Sequence, residues 1–261
     1  LSYLAGALWE LGEFAVADSL MRAVMDELER GEGAGRSGPV LDFLYGLAKL
    51  RLGHVDSADA WFGRVLADTT GAVETMTSWT APGLAHLRIE QGRLDEAREH
   101  LSRMPTGSLT RQVTAALLTA RLLHASGDAP GAARLLEDSI ARILEGAAPG
   151  PPLALPLVTL AEWRLELDQF ASAEAHAARA LQAAAPDILA LERSGYAGRA
   201  HLVIARSRQT AGDAPGACVS GRQAASALAS AFGPASPRAR GAAAVRDSVC
   251  AHAMRPAAPG D

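Results

Sequence analysis

Along this chain, apolar residues recur every three or four positions in long stretches, and glycine or aspartate breaks those stretches at intervals. Such spacing predicts amphipathic helices separated by tight turns. One phrase repeats: a Leu- and Arg-rich stretch, then Gly or Asp, one residue, an apolar residue, two more residues, and Ala. It reads Gly12, Phe14, Ala17; then Gly53, Val55, Ala58; then Gly92, Leu94, Ala97. It continues as Gly127, Ala129, Ala132; then Asp168, Phe170, Ala173; then Gly212, Ala214, Ala217, at intervals of 35 to 44 residues. In the second copy Leu41, Leu44, Tyr45 and Ala48 form a stripe before the turn, and Ala58, Phe62, Val65 and Leu66 form one after it. A glycine that tolerates positive φ ends the first helix, and an acidic residue such as Asp128 or Asp213 favours the start of the second. Neither helix of such a hairpin can bury its stripe alone, so neighbouring copies must stack.

The copies also share a small residue in the first helix: Ala5, Gly46, Ala85, Ala120, Ala161 and Ala205. Together with the turn glycine and the alanine early in the second helix, this resembles the tetratricopeptide repeat family. The clearest copy is Asp168-Gln169-Phe170-Ala171-Ser172-Ala173, leading to Ala180-Leu181. The resemblance implies an all-α fold, a right-handed superhelical solenoid of about six helical hairpins with a C-terminal capping helix. The repeat domain is expected over residues 1–254, with turns near 12, 53, 92, 127, 168 and 212, a capping helix about 238–252, and a disordered tail at 255–261. The intervals exceed the family's usual period of about 34, and the proline that often ends a unit stands mainly at Pro105 and Pro186. Loops at Gly31 to Gly38, Gly146 to Pro152 and Gly233 to Pro237 are expected to absorb the excess.

Composition narrows the partners. With 25 basic and 29 acidic residues the formal charge is −4 and the sequence pI about 6.0. Scattered arginines and a mild negative balance argue against nucleic acid, which calls for a basic stripe. Every helical stretch is interrupted by charge, so a membrane span is not expected. Lys49 is the sole lysine and asparagine is absent, a bias typical of a GC-rich bacterial genome. The chain opens at Leu1 inside an amphipathic pattern, as a fragment of a longer protein would. Cys218 and Cys250 are too few for a disulfide framework and read as reduced, buried small residues in a cytoplasmic protein.

Gly33-Ala34-Gly35-Arg36-Ser37-Gly38 matches the dinucleotide fingerprint letter for letter, but that motif needs a preceding strand and a crossover unit. It follows a helix-like segment here and reads as a loop. Seven histidines occur without a His-x-x-x-His or Cys-x-x-Cys pair, so no metal or cofactor is expected. No nucleophile elbow, phosphate loop or kinase signature is present. The acidic pairs Glu27/Glu29 and Asp95/Glu96 have arginines nearby and read as solvated helix surface, so the chain is not expected to be an enzyme.

The resemblance implies that the first helix of each hairpin lines a concave groove. Its candidate lining is Phe43, Leu47, Arg51, His86, Glu90, Arg121, His124, Glu162, Glu166, Arg206 and Gln209. Mixed charge over an apolar floor suits an extended or helical peptide. Repeats that clamp the C-terminal carboxylates of chaperones use lysine and asparagine, which this chain nearly lacks. Phe232-Gly233-Pro234-Ala235-Ser236-Pro237 resembles the Gly-x-x-His-Pro ending of kinesin-light-chain-like repeats, with serine in place of histidine. Such repeats are often attached to bacterial serine/threonine kinases or regulators. The expected role is a protein-interaction scaffold in the regulatory region of a larger bacterial protein; the alternative is a small-molecule or signalling-peptide sensor controlling an attached kinase or transcriptional regulator.

Overall fold

A computed structural model of the chain describes residues 8, 12–30, 38–67, 73–104, 107–146, 150–184 and 191–254. Among them are twelve α-helices and no strand: α1 (Phe14–Glu29), α2 (Pro39–Leu52), α3 (Val55–Ala67), α4 (Val73–Glu90), α5 (Leu94–Ser102) and α6 (Leu109–Ala125). The series continues with α7 (Ala129–Gly146), α8 (Ala154–Glu166), α9 (Phe170–Ala184), α10 (Gly195–Thr210), α11 (Ala214–Phe232) and α12 (Pro237–Ala253). Five hairpins are complete within the described residues: α2/α3, α4/α5, α6/α7, α8/α9 and α10/α11. Helix α1 follows the turn at Gly12; Ala5, the small residue expected in the first copy, lies outside the described residues. Helices α1 to α7 belong to one compact unit and α8 to α12 to a second. No described helix is long and apolar enough to cross a membrane.

The five hairpin turns close in one way. At the end of α2 the Gly53 N–H donates to the Leu50 carbonyl at 3.0 Å, and the His54 N–H to the Lys49 carbonyl at 2.8 Å. The same pair of bonds forms around Gly92, Gly127, Asp168 and Gly212. This closure satisfies carbonyls that the helix leaves open, and it requires a left-handed residue at the turn. Gly53 stands there at φ +86°, whereas Asp168, at φ +57°, is the one described non-glycine residue with positive φ. Aspartate enters that region more readily than most side chains. The next helix then gains a cap: Asp128 Oδ1 accepts from the Gly131 N–H at 2.8 Å, and Asp213 Oδ1 from the Gly216 N–H at 2.9 Å.

Two small positions organise the packing. Seven residues before each turn stand Gly46, Ala85, Ala120, Ala161 and Ala205; five residues after it stand Ala58, Ala97, Ala132, Ala173 and Ala217. All ten are buried. A Cβ at Gly46 would come within 2.6 Å of the Phe62 ring, so glycine is what allows α3 to seat that ring against α2. In the first unit one cluster gathers Leu50, Ala58, Phe62, Leu84 and Leu87. A second gathers Ala81, Ala85, Ile89, Ala97, Met104, Leu118 and Leu122. In the second unit α12 covers α11 through Ala225, Leu228 and Ala242, with Leu202 and Phe232 alongside.

Some expectations are corrected. Leu66 is 52% exposed: it lies one position off the buried line of Ala58, Phe62 and Val65 on α3. Cys218 and Cys250 are not reduced thiols but a disulfide joining α11 to α12. Residues 32 apart in sequence become neighbours because the two helices run antiparallel. The capping helix starts at Pro237 and ends at Ala253, with Ser236 Oγ accepting from the Ala239 N–H at 3.2 Å. Pro105, Pro186, the glycine-rich match from Gly33 to Ser37 and the tail at 255–261 lie outside the described residues.

Gly53→Ala is expected to cost about 1–2 kcal/mol in urea unfolding, because it forces a Cβ into the left-handed region. Asp168→Gly, which relieves that penalty, is expected to leave stability unchanged or raised.

Candidate binding face on the first helices

Counting back from the turn places the groove candidates in register. Leu47, His86, Arg121, Glu162 and Arg206 each stand six residues before their turn, and Arg51, Glu90 and Glu166 stand two before theirs. Helical spacing puts these two positions on one face, with Phe43 one turn further back in α2.

In the first unit the face is a connected cluster. Arg121 on α6 reaches His86 on α4, with Nη1 at 2.5 Å from Nε2. A guanidinium can only donate, so Nε2 must be the unprotonated nitrogen of a neutral ring. Burial is the larger reason the ring stays neutral, and the Arg121 charge adds to it; together they push the His86 pKa down to about 4. Arg51 on α2 acts on His86 in the same direction, while Glu90 opposes it. Glu90 Oε1 stands 3.4 Å from His86 Nε2 and 3.9 Å from Arg121 Nη1. Three successive first helices, α2, α4 and α6, thus place Arg51, His86, Glu90 and Arg121 in one electrostatic neighbourhood. Beside it Phe43 and Leu47 are half-buried on the Phe62 cluster, with the Phe43 and Phe62 rings 5.5 Å apart. His124 lies half-buried one turn beyond Arg121 on α6.

The second unit is arranged differently. Glu162 on α8 is engaged by Arg199 on α10 through two bonds, Nε to Oε1 at 2.8 Å and Nη2 to Oε2 at 2.5 Å. Arg199 Nη2 also lies 3.4 Å from Thr159 Oγ1. Burial works against the Arg199 charge, but the Glu162 carboxylate outweighs it and holds the guanidinium above its usual range. Glu166, Arg206 and Gln209 are exposed. Arg199 and Thr159 were not among the sequence candidates. Arg199 stands thirteen residues before its turn, seven ahead of Arg206, and only the packing of α10 on α8 makes it Glu162's partner.

A second periodic feature was also missed. Four residues before the turn stand Lys49, Arg88 and Arg208, and six residues after the preceding turn stand Asp18, Asp59 and Glu174. They pair between neighbouring hairpins: Lys49 with Asp18 at 2.6 Å, Arg88 with Asp59 at 3.0 Å, and Arg208 with Glu174 at 2.8 Å. Burial opposes the Asp59 charge, yet hydrogen bonds from Arg88 and Gln91 hold its carboxyl below the usual range. The signal was present in the sequence as a fixed offset from two successive turns. Arg98 and Leu123 occupy the same offsets between the third and fourth copies, where no such pair can form. Among the described residues no group of three His, Cys, Asp or Glu side chains could hold a metal ion.

No protein-family model and no curated protein matches this sequence. Among solved structures the chain is similar to BtubC (BKLC) from P. vanneervenii, at 16% identity and a TM-score of 0.50, covering 86% of this chain and 95% of that one. It is also similar to the TPR2AB domain of yeast Sti1, solved as a complex with pHSP90, at 13% identity and a TM-score of 0.41, covering 94% and 95% of the two chains. The likeness to BtubC, with the repeated hairpins and turns, shows the fold: stacked tetratricopeptide-like helical hairpins followed by a C-terminal capping helix.

Two outcomes are expected of this face. Because the folded protein holds His86 near 4 while an unfolded chain has it near 6.5, the unfolded state takes up the proton first. Stability is therefore full above about pH 6.5 and falls as the pH drops towards 4, by on the order of 3 kcal/mol from His86. His100 and His201 are lowered in the same direction, chiefly by burial, so the difference between parent and His86→Gln in denaturant titrations across this range isolates the His86 share. Glu162→Gln, which leaves the Arg199 guanidinium short of its counter-charge, is expected to cost about 2 kcal/mol in urea unfolding.

Proposed function

We propose that this chain is a non-catalytic protein-interaction module, and that its first unit takes a peptide or helical segment of a partner along the first helices α2, α4 and α6. One observation carries the reading: Arg51, His86, Glu90 and Arg121 come together from three successive hairpins beside half-buried Phe43 and Leu47. An apolar floor gives such a segment area to bury, and polar groups held by one another offer directional contacts without large reorganisation. In the second unit Glu162 is committed to Arg199, so the exposed Arg206, Gln209 and Glu166 form at most an extension of the face. The role as the regulatory region of a larger bacterial protein rests on the Phe232 to Pro237 ending and on the arginine- and alanine-rich, asparagine-free composition.

A random peptide library displayed on phage and panned on the whole chain tests the reading, with selected peptides measured by fluorescence anisotropy. Arg121→Glu is expected to weaken them at least about tenfold, the loss of one charge-assisted contact, with helicity by circular dichroism unchanged. Arg206→Glu is expected to change affinity less. Equal affinity for the parent and Arg121→Glu would refute the assignment of this face.

A further inference from the structure

The two cysteines are the only ones in the chain, and neither the turns nor the binding face makes use of them. Their bond closes a particular gap. Helix α12 is tied to α11 at its start by the short connection from Gly233 to Ser236, and Cys250 lies three residues before its last residue, Ala253. The disulfide therefore fastens the end that the connection leaves loose.

Packing at that end is close but rests on few large side chains. Across seventeen residues α12 buries Ala239, Ala242 and Val249, and its side chains larger than alanine on the inner side are chiefly valines. The hairpins, by contrast, bury Phe62, Leu87, Leu136, Leu157 and Leu160. Val249, fully buried, rests over Gly221, where an added Cβ would stand 2.9 Å from Val249 Cγ2 and 3.2 Å from the Arg246 Cα. The seat lies within one turn of Cys218 on α11, so cross-link and seat act on the same end of α12. The two residues also differ in exposure: Cys218 is 8% exposed and Cys250 is half-buried, so the Cys250 side is the more open to an incoming thiolate.

We propose that Cys218–Cys250 is a redox-controlled clasp that holds the C-terminal half of α12 on α11 when oxidised and lets it open when reduced. A dithiol supplies the two electrons and two protons. Its thiolate attacks the Cys250 sulfur and the bond to Cys218 breaks. Cys218 leaves as a thiolate and takes a proton, and the second thiol of the reductant closes its own disulfide and frees Cys250 as a thiol. Opening uncovers the Gly221 seat while the start of α12, with Ala242 against Ala225 and Leu228, stays in place.

Hydrogen exchange read by mass spectrometry on the full chain tests this, before and after dithiothreitol and on Cys250→Ser, with thiols titrated in denaturant. Protein isolated without reductant is expected to titrate no free thiol. Reduction and the substitution are each expected to speed exchange over Val245 to Ala253 by at least about tenfold, while α8 and α9 keep their protection. Free thiols in the unreduced protein would overturn the proposal. So would equal exchange of α12 in all three forms, which would mean that packing alone holds it. Acceleration spread evenly over the second unit would overturn it too, since the bond would then be a general stabiliser.

Discussion

Every hairpin in this structure depends on two helices coming close enough to exclude anything larger than a methyl group at two fixed positions. Gly46, Ala85, Ala120, Ala161 and Ala205 meet that limit before the turns, and Ala58, Ala97, Ala132, Ala173 and Ala217 meet it after them. Small residues there bring neighbouring backbones near one another, and the larger side chains, such as Phe62, Leu87 and Leu136, fill the layers between hairpins. The alanines at these positions are thus a packing requirement. A bulkier side chain at any of these ten positions would force apart helices whose turn has already set their start.

With the apolar interior assigned to that contact, charged side chains carry the relation of one hairpin to the next. Lys49, Arg88 and Arg208 reach back to Asp18, Asp59 and Glu174 on the preceding second helix, each from the same place in its repeat. Ion pairs of this kind add little stability where exposed, but their geometry favours one register of stacking. Between the third and fourth copies, where that pair is missing, Arg121 meets His86 instead.

The end of the stack follows another rule. A capping helix must be polar outside, and α12 packs inside mainly through small residues, with Val249 the one large side chain fully buried. A covalent bond from α11 adds to that packing.

By itself the sequence determined the helices, the turns and the two small positions, because these are local: periodicity within a helix and a left-handed residue after it need only a few neighbouring residues. The stripe along α2, the turn at Gly53 and the start of α12 could all be read this way. It also placed Arg51, His86, Glu90 and Arg121 on the first helices, since their offsets from the turns are fixed. Only the tertiary structure decided which of these side chains meet. Arg121 found His86 across 35 residues and Arg199 found Glu162 across 37. Cys218 and Cys250 became partners although each read alone as a small buried residue. Contacts between helices depend on how far one hairpin is rotated and shifted on the next, a quantity set by the summed packing of many side chains and encoded at no single position.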